Sequence, residues 1–279
     1  MGAQLKHRWR PVVGIVAGAT AVGTLAGGVI LGSAQRTPSD TEPGLTDAPS
    51  GVAAIILASA PLDDVSASQF CTGALVAPDL VVTAAHCVEG KRADRIDVIL
   101  DADNLCSPDP ISGERVHVAA IEPFSSGADA ALLRLVTASA RHSPIALHDG
   151  ELRPGNELDA WGWSSSSIGG ASSCRVTTRP LRAVPLDHCR LELDAESAEI
   201  GSDADSDRGF VPARDSVADY LCALPTGTRN TCLGDSGGPL FTSDRHELAA
   251  ITLSGRGCGA NDPGLYLTAT AIQRELAGR

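Results

Sequence analysis

The chain has 279 residues, of which 43% are hydrophobic, so it can bury a sizeable core and is not a disordered tail. Its formal net charge of -12 opposes contact with phosphate backbones and anionic lipid headgroups, which argues against nucleic acid as a partner and against peripheral membrane binding. Aromatic residues make up only 3% of the chain, so Val, Leu, Ile and Ala must fill the core, which favours short strands.

Residues 1–34 have the pattern of an export signal. A basic start precedes an uncharged run from Pro11 to Gln35. Gly32 and Ala34 are small residues at the two positions that a signal peptidase needs, which predicts cleavage after Ala34. The alternative is an uncleaved membrane anchor through residues 11–34, because the run reaches the roughly 20 apolar residues that span a bilayer. Either outcome predicts a secreted, periplasmic or otherwise extracellular protein body, where disulfides persist.

Residues 35–50 are rich in Pro, Ser, Thr and acids without an apolar period, so they predict a linker or propeptide. A single folded domain is expected over residues 51–279. Short apolar or alternating runs recur there, each followed by Gly, Pro, Ser or Asp, as is typical of strands and turns. The runs are VAAIILA, ALVA, LVVTAA, RIDVIL, RVHVAAI, AALLRLV, ELDAWGW, CRVTTRPLRAV, PLFTS, ELAAITLS and GLYLTAT. With a helix at Thr270 to Ala277, they predict an all-β barrel or sandwich.

Two inserts interrupt this rhythm. Residues 164–173, SSSSIGGASS, predict a flexible loop. Residues 192–207 hold seven carboxylates and no basic residue, which predicts a solvated acidic loop. The stretch 203–207 repeats the first ligand spacings of an EF-hand, but Arg208 and Arg214 stand where that loop needs Gly and Glu. We therefore predict no metal site.

Three short motifs carry residue types that nucleophilic catalysis needs. In GDSGGPL, residues 234–240, Ser236 lies between small residues, so a substrate backbone can approach it. A serine hydroxyl needs a base, and His86 ends the apolar run LVVTAAHC. Asp129 opens the run DAALLRL, and a buried carboxylate there would need a partner such as an imidazole N–H. Each motif alone also suits an ordinary turn or a structural residue.

Together the motifs TAAHC, DAALLRL and GDSGGPL, in the chain order His, Asp, Ser, resemble those of the chymotrypsin/trypsin-like serine peptidase family. The resemblance covers about residues 50 to 279. It implies two packed six-stranded antiparallel β-barrels with the catalytic groups in the cleft between them. Ser236 would be the nucleophile, His86 the general base and Asp129 the residue that orients the histidine, with the N–H groups of Gly234 and Ser236 as the oxyanion hole. It implies protein or peptide substrates and no cofactor.

The chain has eight cysteines, an even number. Two of them fit no standard bridge of the family, and their pairing stays open. These two are Cys106 and Cys174. The resemblance implies the disulfides Cys71–Cys87, Cys189–Cys222 and Cys232–Cys258.

The chain departs from the family at its start. Members of the family usually begin, after zymogen cleavage, with an Ile-Val-Gly-Gly-like end whose ammonium group pairs with the aspartate before the nucleophile. That aspartate is present here as Asp235, but the sequence around residue 51 shows no such start. We expect either that cleavage within 35–50 supplies an unusual N-terminus or that Asp235 has another partner.

The substrate pocket implied by the resemblance also differs. Asn230 stands at the pocket base where trypsin-like members have Asp, so it offers no ion pair to Lys or Arg. Gly264 leaves the pocket wall open. Ser254 either matches the family serine that hydrogen-bonds the catalytic aspartate or is an ordinary strand serine. Where members of the family usually read Ser-Trp-Gly beside the substrate, this chain reads Ser254-Gly255-Arg256, so the apolar wall of the tryptophan is missing. Arg256 is either solvated or reaches the pocket mouth, where it would favour acidic or polar residues.

Two other functions fit the same motifs. An exported binding or regulatory protein could keep the peptidase fold with little turnover. An esterase could use the same three residues, because acyl transfer to water hydrolyses either bond. No feature of the sequence predicts the oligomeric state.

Overall fold

A computed structural model describes much of the domain predicted from residue 51 onward. The described residues are 49–61, 63–102, 104–107, 113–165, 170–189, 218–255, 258–259 and 262–279. The predicted export signal, most of the linker, the acidic segment and Arg256 lie outside them, so those predictions stay predictions. Within the described part of the chain, no helix has both the length and the apolar character needed to cross a membrane.

Six antiparallel strands form a first closed barrel in the order β1-β2-β3-β6-β5-β4. The strand β1 pairs with both β2 and β4, which closes the barrel. The strands are β1 (Val52–Leu57), β2 (Gln69–Ala77), β3 (Leu80–Thr83), β4 (Ile96–Leu100), β5 (Glu114–Pro123) and β6 (Ala131–Leu135).

Six further strands form a second closed barrel in the order β10-β11-β12-β9-β8-β7. Pairing of β10 with β7 closes it. The strands are β7 (Glu157–Gly162), β8 (Thr177–Val184), β9 (Tyr220–Pro225), β10 (Pro239–Thr242), β11 (Leu248–Gly255) and β12 (Gly264–Thr268). The prediction of two six-stranded antiparallel barrels is confirmed.

Helices are few among the described residues. The predicted C-terminal helix is confirmed as Ala269–Ala277, and the side chain of Thr268 caps its first turn by accepting a hydrogen bond from the Ala271 amide. A one-turn helix, Ala85–Val88, follows β3. The other helical residues in the described part of the chain are the 3₁₀ turns Ser66–Ser68 and Ala93–Arg95, residues 186–189, and residues 218–219 in 3₁₀ conformation.

The strand β9 was absent from the predicted runs. Its first four residues, Tyr220 to Ala223, are all buried, so the segment has no alternation of apolar and polar residues. It pairs with β8 and β12 and is needed to complete the second barrel.

Aliphatic side chains fill both barrels, as the scarcity of aromatic residues predicts. Ile55, Val81 and Leu132 are fully buried in the first barrel, and Leu181 and Leu240 in the second. Each such side chain contributes about 1.5–3 kcal/mol through removal from water. These rigid barrels present the three motif residues at strand ends: one follows β3, one precedes β6 and one precedes β10.

Candidate active site

The histidine and the aspartate singled out by their motifs form a two-point contact. The Nδ1 atom of His86 lies 2.7 Å from Oδ2 of Asp129, and the His86 amide donates to Oδ1 of the same carboxylate at 2.9 Å. Pairing of Thr83 with Ala131 places the end of β3 beside the start of β6, which brings the two residues together.

This contact fixes the imidazole. A carboxylate at Nδ1 favours the tautomer with its proton on Nδ1, so Nε2 is left as a proton acceptor. The Asp129 side chain is 11% exposed, whereas that of His86 is 44% exposed. The carboxylate is therefore shielded while the imidazole remains accessible to a substrate.

The turn that carries Ser236 is tied to both barrels. The Ser236 carbonyl accepts a hydrogen bond from the Thr72 amide of β2 at 2.9 Å and lies 3.7 Å from Sγ of Cys87, the residue after His86. The following amide, of Gly237, donates to the Thr252 carbonyl of β11 at 2.6 Å. Ser236 is thus held next to the His86 segment, although among the described residues no hydrogen bond joins its hydroxyl to the imidazole.

Only a glycine fits after the serine. Gly237 has a φ of +78°, and a Cβ there would lie 2.1 Å from Thr83 Oγ1 and 2.4 Å from the Thr72 carbonyl oxygen. The absence of a side chain allows the turn to pack directly against the end of β3, the strand that leads to His86.

The amides of Gly234 and Ser236 are unoccupied: in the described part of the chain, neither donates a hydrogen bond to the protein. The Leu233 carbonyl accepts from the Ser165 amide at 3.2 Å. Since the C=O and N–H of a trans peptide point in opposite directions, this bond also directs the Gly234 N–H away from Ser165. Two free amides beside a serine can bind the oxyanion of an acyl-transfer intermediate.

Side chains of β2 brace the same turn. The Gly234 carbonyl accepts from the Thr72 hydroxyl at 2.7 Å and from Gln69 Nε2 at 3.0 Å. Gln69 in turn accepts from the Ser172 hydroxyl at 2.6 Å. Sequence reasoning missed both bracing residues, because polar residues in a strand carry no signal of their contacts with a distant turn.

Asn230 is 1% exposed, and both of its polar side-chain atoms are already bonded. Its Nδ2 donates to the Asp262 carbonyl at 2.5 Å, and its Oδ1 accepts from the Thr231 amide at 2.8 Å. The bond to Asp262 therefore ties the predicted pocket base to the segment that leads into Gly264 of the predicted pocket wall.

The other residues predicted for the pocket have different surroundings. A Cβ on Gly264 would lie 2.4 Å from the Tyr266 hydroxyl, so the space beside this glycine is filled. Burial raises the pKa of that hydroxyl well above its usual value, so Tyr266 stays neutral. The Ser254 hydroxyl is buried and makes no hydrogen bond within the described chain, so the bond to Asp129 that the resemblance implies is not formed.

Four disulfides are present, and the three implied by the resemblance are among them. The fourth, which the sequence left open, joins Cys106, after β4, to Cys174, before β8, and so links the two barrels. Near His86, a ring nitrogen and the sulfurs of the first bridge lie within 4.8 Å of one another, but sulfurs in a disulfide are not thiolate ligands. The complete set is Cys71–Cys87, Cys106–Cys174, Cys189–Cys222 and Cys232–Cys258.

Comparison with known proteins gives consistent matches. The model of the Trypsin family matches residues 57–274. A trypsin of Saccharopolyspora erythraea is 29% identical over 207 residues, which cover 71% of the chain and 81% of that relative. Two other relatives, serine protease Hayan of Drosophila melanogaster and coagulation factor XII of Cavia porcellus, are longer, and the matches cover about a third of their length.

Two solved structures are similar in fold. One is human heparin binding protein, with a TM-score of 0.60, 19% identity and coverage of 82% of this chain and 90% of that one. The other is the Vibrio cholerae VesB protease, with a TM-score of 0.61, 21% identity and coverage of 85% and 65%. At these identities the likeness concerns the fold alone.

Proposed function

The chain belongs to the trypsin family of serine peptidases, and on that premise we propose that it is an exported endopeptidase whose residues 51–279 form the catalytic domain. Its catalytic groups are Ser236, His86 and Asp129. The observation that carries the proposal is the two-point contact of the Asp129 carboxylate with His86 beside the serine turn.

The geometry supports hydrolysis through an acyl-enzyme. Ser236 Oγ attacks the peptide carbonyl carbon while its proton passes to Nε2 of His86. Asp129 accepts a hydrogen bond from the His86 Nδ1–H and stabilises the imidazolium that forms. The amides of Gly234 and Ser236 bind the oxyanion, and collapse of the intermediate expels the amine, which takes the proton from His86. Water then repeats the sequence on the acyl-enzyme and releases the acid and the serine.

We also propose that the enzyme does not prefer Lys or Arg before the cut. Asn230 is neutral, and its side-chain atoms are engaged by Asp262 and Thr231, so it offers no anionic partner to a basic side chain. The preference for acidic or polar residues depends on Arg256, which lies outside the described residues and stays a prediction.

Export is supported by the disulfides. Four disulfides require an oxidising compartment, in agreement with residues 1–34 acting as an export signal or anchor and residues 35–50 as a linker or propeptide.

A binding protein is the second candidate. The lack of a hydrogen bond between the Ser236 hydroxyl and His86 favours it, and the human protein of similar fold is named for heparin binding. However, the net charge of -12 opposes binding of a polyanion such as heparin, and catalytic hydrogen bonds are often loose before substrate is bound.

Covalent labelling tests the proposal. A fluorophosphonate should label Ser236 of the purified protein, and Ser236→Ala should abolish both labelling and peptide cleavage. His86→Ala should lower kcat by about 10⁴- to 10⁶-fold. Ser243→Ala, at an exposed serine just after β10, is the matched control and should behave as wild type.

The substrate profile separates the candidates. A folded protein that neither binds the fluorophosphonate nor cleaves peptides would be the binding protein. Cleavage of esters without peptides would make it an esterase. Mapped cuts in a peptide library that fall mainly after Lys or Arg would contradict the proposed specificity.

A further inference from the structure

The acid next to the nucleophile, Asp235, is paired within the folded domain. We infer that Arg179 is the positioning residue that neutralises it, so the Ser236 turn adopts its active arrangement without a liberated N-terminal ammonium. This inference rests on the proposed function and concerns how the same site is assembled.

The Asp235 carboxylate is almost fully enclosed, with 3% of its side chain exposed. Its Oδ1 accepts from the Ser164 amide at 3.1 Å, and its Oδ2 accepts from the Cys232 amide at 3.0 Å. A guanidinium nitrogen of Arg179 lies 3.7 Å from Oδ2, an ion pair rather than a direct hydrogen bond. A Cβ on Gly162 would lie 2.2 Å from Oδ1, so the glycine makes room for the carboxylate.

Arg179 itself is buried, with 7% of its side chain exposed. Its guanidinium donates to the hydroxyl of Thr177 at 2.8 Å and to the hydroxyl of Ser164. Both hydroxyls are neutral, and among the described residues Asp235 is the only acid within 4 Å of the guanidinium. Because an uncompensated buried charge is strongly unfavourable, the two ions must neutralise each other. The charges of both ions act on the Tyr266 hydroxyl, which stays neutral because burial raises its pKa.

This ion pair connects to the oxyanion donors through two residues after β7. Ser164 contacts both ions, through its amide to Asp235 and its hydroxyl to Arg179. The next amide, of Ser165, binds the Leu233 carbonyl and thereby directs the Gly234 N–H. Arg179 therefore fixes the position of Ser164 and Ser165, and through them the direction of the Gly234 N–H, one of the two oxyanion donors.

The start of the described chain is bound elsewhere. The Ser50 hydroxyl and the Gly51 amide donate to the Asp101 carboxylate at 2.7 and 2.6 Å, just after β4 of the first barrel. The segment that leads into β1 thus contacts Asp101, and the counterion of Asp235 is supplied by β8. A protein with this arrangement needs no new N-terminus to complete its oxyanion site.

Blocking the N-terminus tests this directly. The chain has only two lysines, Lys6 and Lys91, so in the Lys6→Arg/Lys91→Arg double variant the α-amino group is the only primary amine. We expect acetylation of this variant, verified by mass spectrometry, to leave fluorophosphonate labelling of Ser236 and kcat/KM unchanged. Loss of labelling on acetylation overturns the inference alone, and absence of labelling before acetylation contradicts the proposed function as well.

Two arginines on the same strand give a matched pair. Arg179→Gln should lower kcat by about 100- to 1,000-fold, as does loss of an oxyanion donor, with a smaller change in KM. Arg182→Gln, at an exposed residue that binds Glu157, should not change kcat. Wild-type turnover by folded Arg179→Gln would overturn the inference.

The pH profile of the wild type decides the matter if Arg179→Gln does not fold. Guanidinium groups stay protonated at alkaline pH, whereas α-amino groups lose their proton at about pH 8. We therefore expect kcat to stay level between about pH 8.5 and 10.5. A fall in kcat over this pH range, together with a loss of kcat when the N-terminus is acetylated, would assign the counterion of Asp235 to the N-terminus and not to Arg179.

Discussion

Two buried aspartates, one on β4 of the first barrel and one just before β10 of the second, are both neutralised by other groups, but their partners lie at different distances along the chain. Asp97 of β4 has no exposed area, and its oxygens contact Arg115 at 2.6 Å and His117 at 2.5 Å. Both partners lie on β5, the strand paired with β4. Asp235, by contrast, is bound by Ser164, 71 residues away in the chain, and by Arg179 across the second barrel.

The difference lies in what each carboxylate orders. Asp97 binds two side chains directly and so stabilises one local strand pair. Within the described chain, both direct hydrogen bonds to the Asp235 carboxylate come from backbone amides, while its guanidinium partner lies at 3.7 Å. It therefore determines the backbone geometry around Ser236. Loss of either ion should cost stability, but only loss of Asp235 should cost catalysis.

The strongest test of this contrast is Asp235→Ala. Removal of the carboxylate leaves Arg179 buried without a counterion, which should lower the free energy of unfolding by about 3–5 kcal/mol. The turn loses its amide acceptor, so kcat should fall by about 100- to 1,000-fold. Urea unfolding and active-site titration measure the two effects. Folded Asp235→Ala with wild-type kcat would show that the carboxylate does not order the turn.

Asp97→Ala is the matched variant. It removes a carboxylate that is also buried, so the free energy of unfolding should likewise fall by about 3–5 kcal/mol, because Arg115 loses the carboxylate that neutralises it. Turnover per active site should stay within about twofold of wild type, because the partners of Asp97 in the described chain lie on β5, away from the serine turn. A large fall in kcat for the folded variant would contradict the distinction between the two acids.

A smaller effect on kcat is expected from the β2 side chains that bind the Gly234 carbonyl. Thr72→Val removes the hydroxyl that binds the Gly234 carbonyl but leaves the bond from Gln69, so transition-state stabilisation should fall by about 1 kcal/mol, or about fivefold in kcat. Thr178→Val is the control, because its buried hydroxyl has no hydrogen-bond partner in the described chain. That control should be neutral or stabilising, and equal effects of the two variants on kcat would contradict the brace.

The smallest effect concerns an exposed acid. A hydrogen bond from the Ser66 hydroxyl, and one from the Ser66 amide, lower the pKa of Asp64. Its contribution to stability is thus present above the unfolded pKa, about 4, and is lost as the pH falls through the lower folded value. Ser66→Ala should raise the pKa of Asp64 toward its usual value in a carboxyl ¹³C NMR titration. An unchanged pKa would show that the hydroxyl is not the main cause.

Most strands could be predicted because their apolar runs are bounded by turn residues. The runs ELDAWGW and GLYLTAT correspond to β7 and β12, and the final helix differs from its prediction by one residue at its start. The exception, β9, lacks alternation because both of its faces are covered.

The candidate site was predicted in part. His86, Asp129 and Ser236 could be singled out from the sequence because each lies in a short motif whose neighbouring residues are recognisable as well. The bond from Asn230 to Asp262, and the lack of a hydrogen bond to the Ser254 hydroxyl among the described residues, could not be foreseen, because each depends on segments that are distant in the chain.

The amino-acid sequence by itself determined the strand rhythm, the even number of cysteines and the order of the three motifs, because periodicity, residue type and turn chemistry are local properties. Only the tertiary structure decided that Cys106 bonds to Cys174 and that Arg179 faces Asp235. A buried ion pair leaves no periodic mark in either segment. It exists because closure of the second barrel places the Arg179 side chain of β8 next to the serine turn. In this buried, low-dielectric site either charge would be strongly unfavourable without the other.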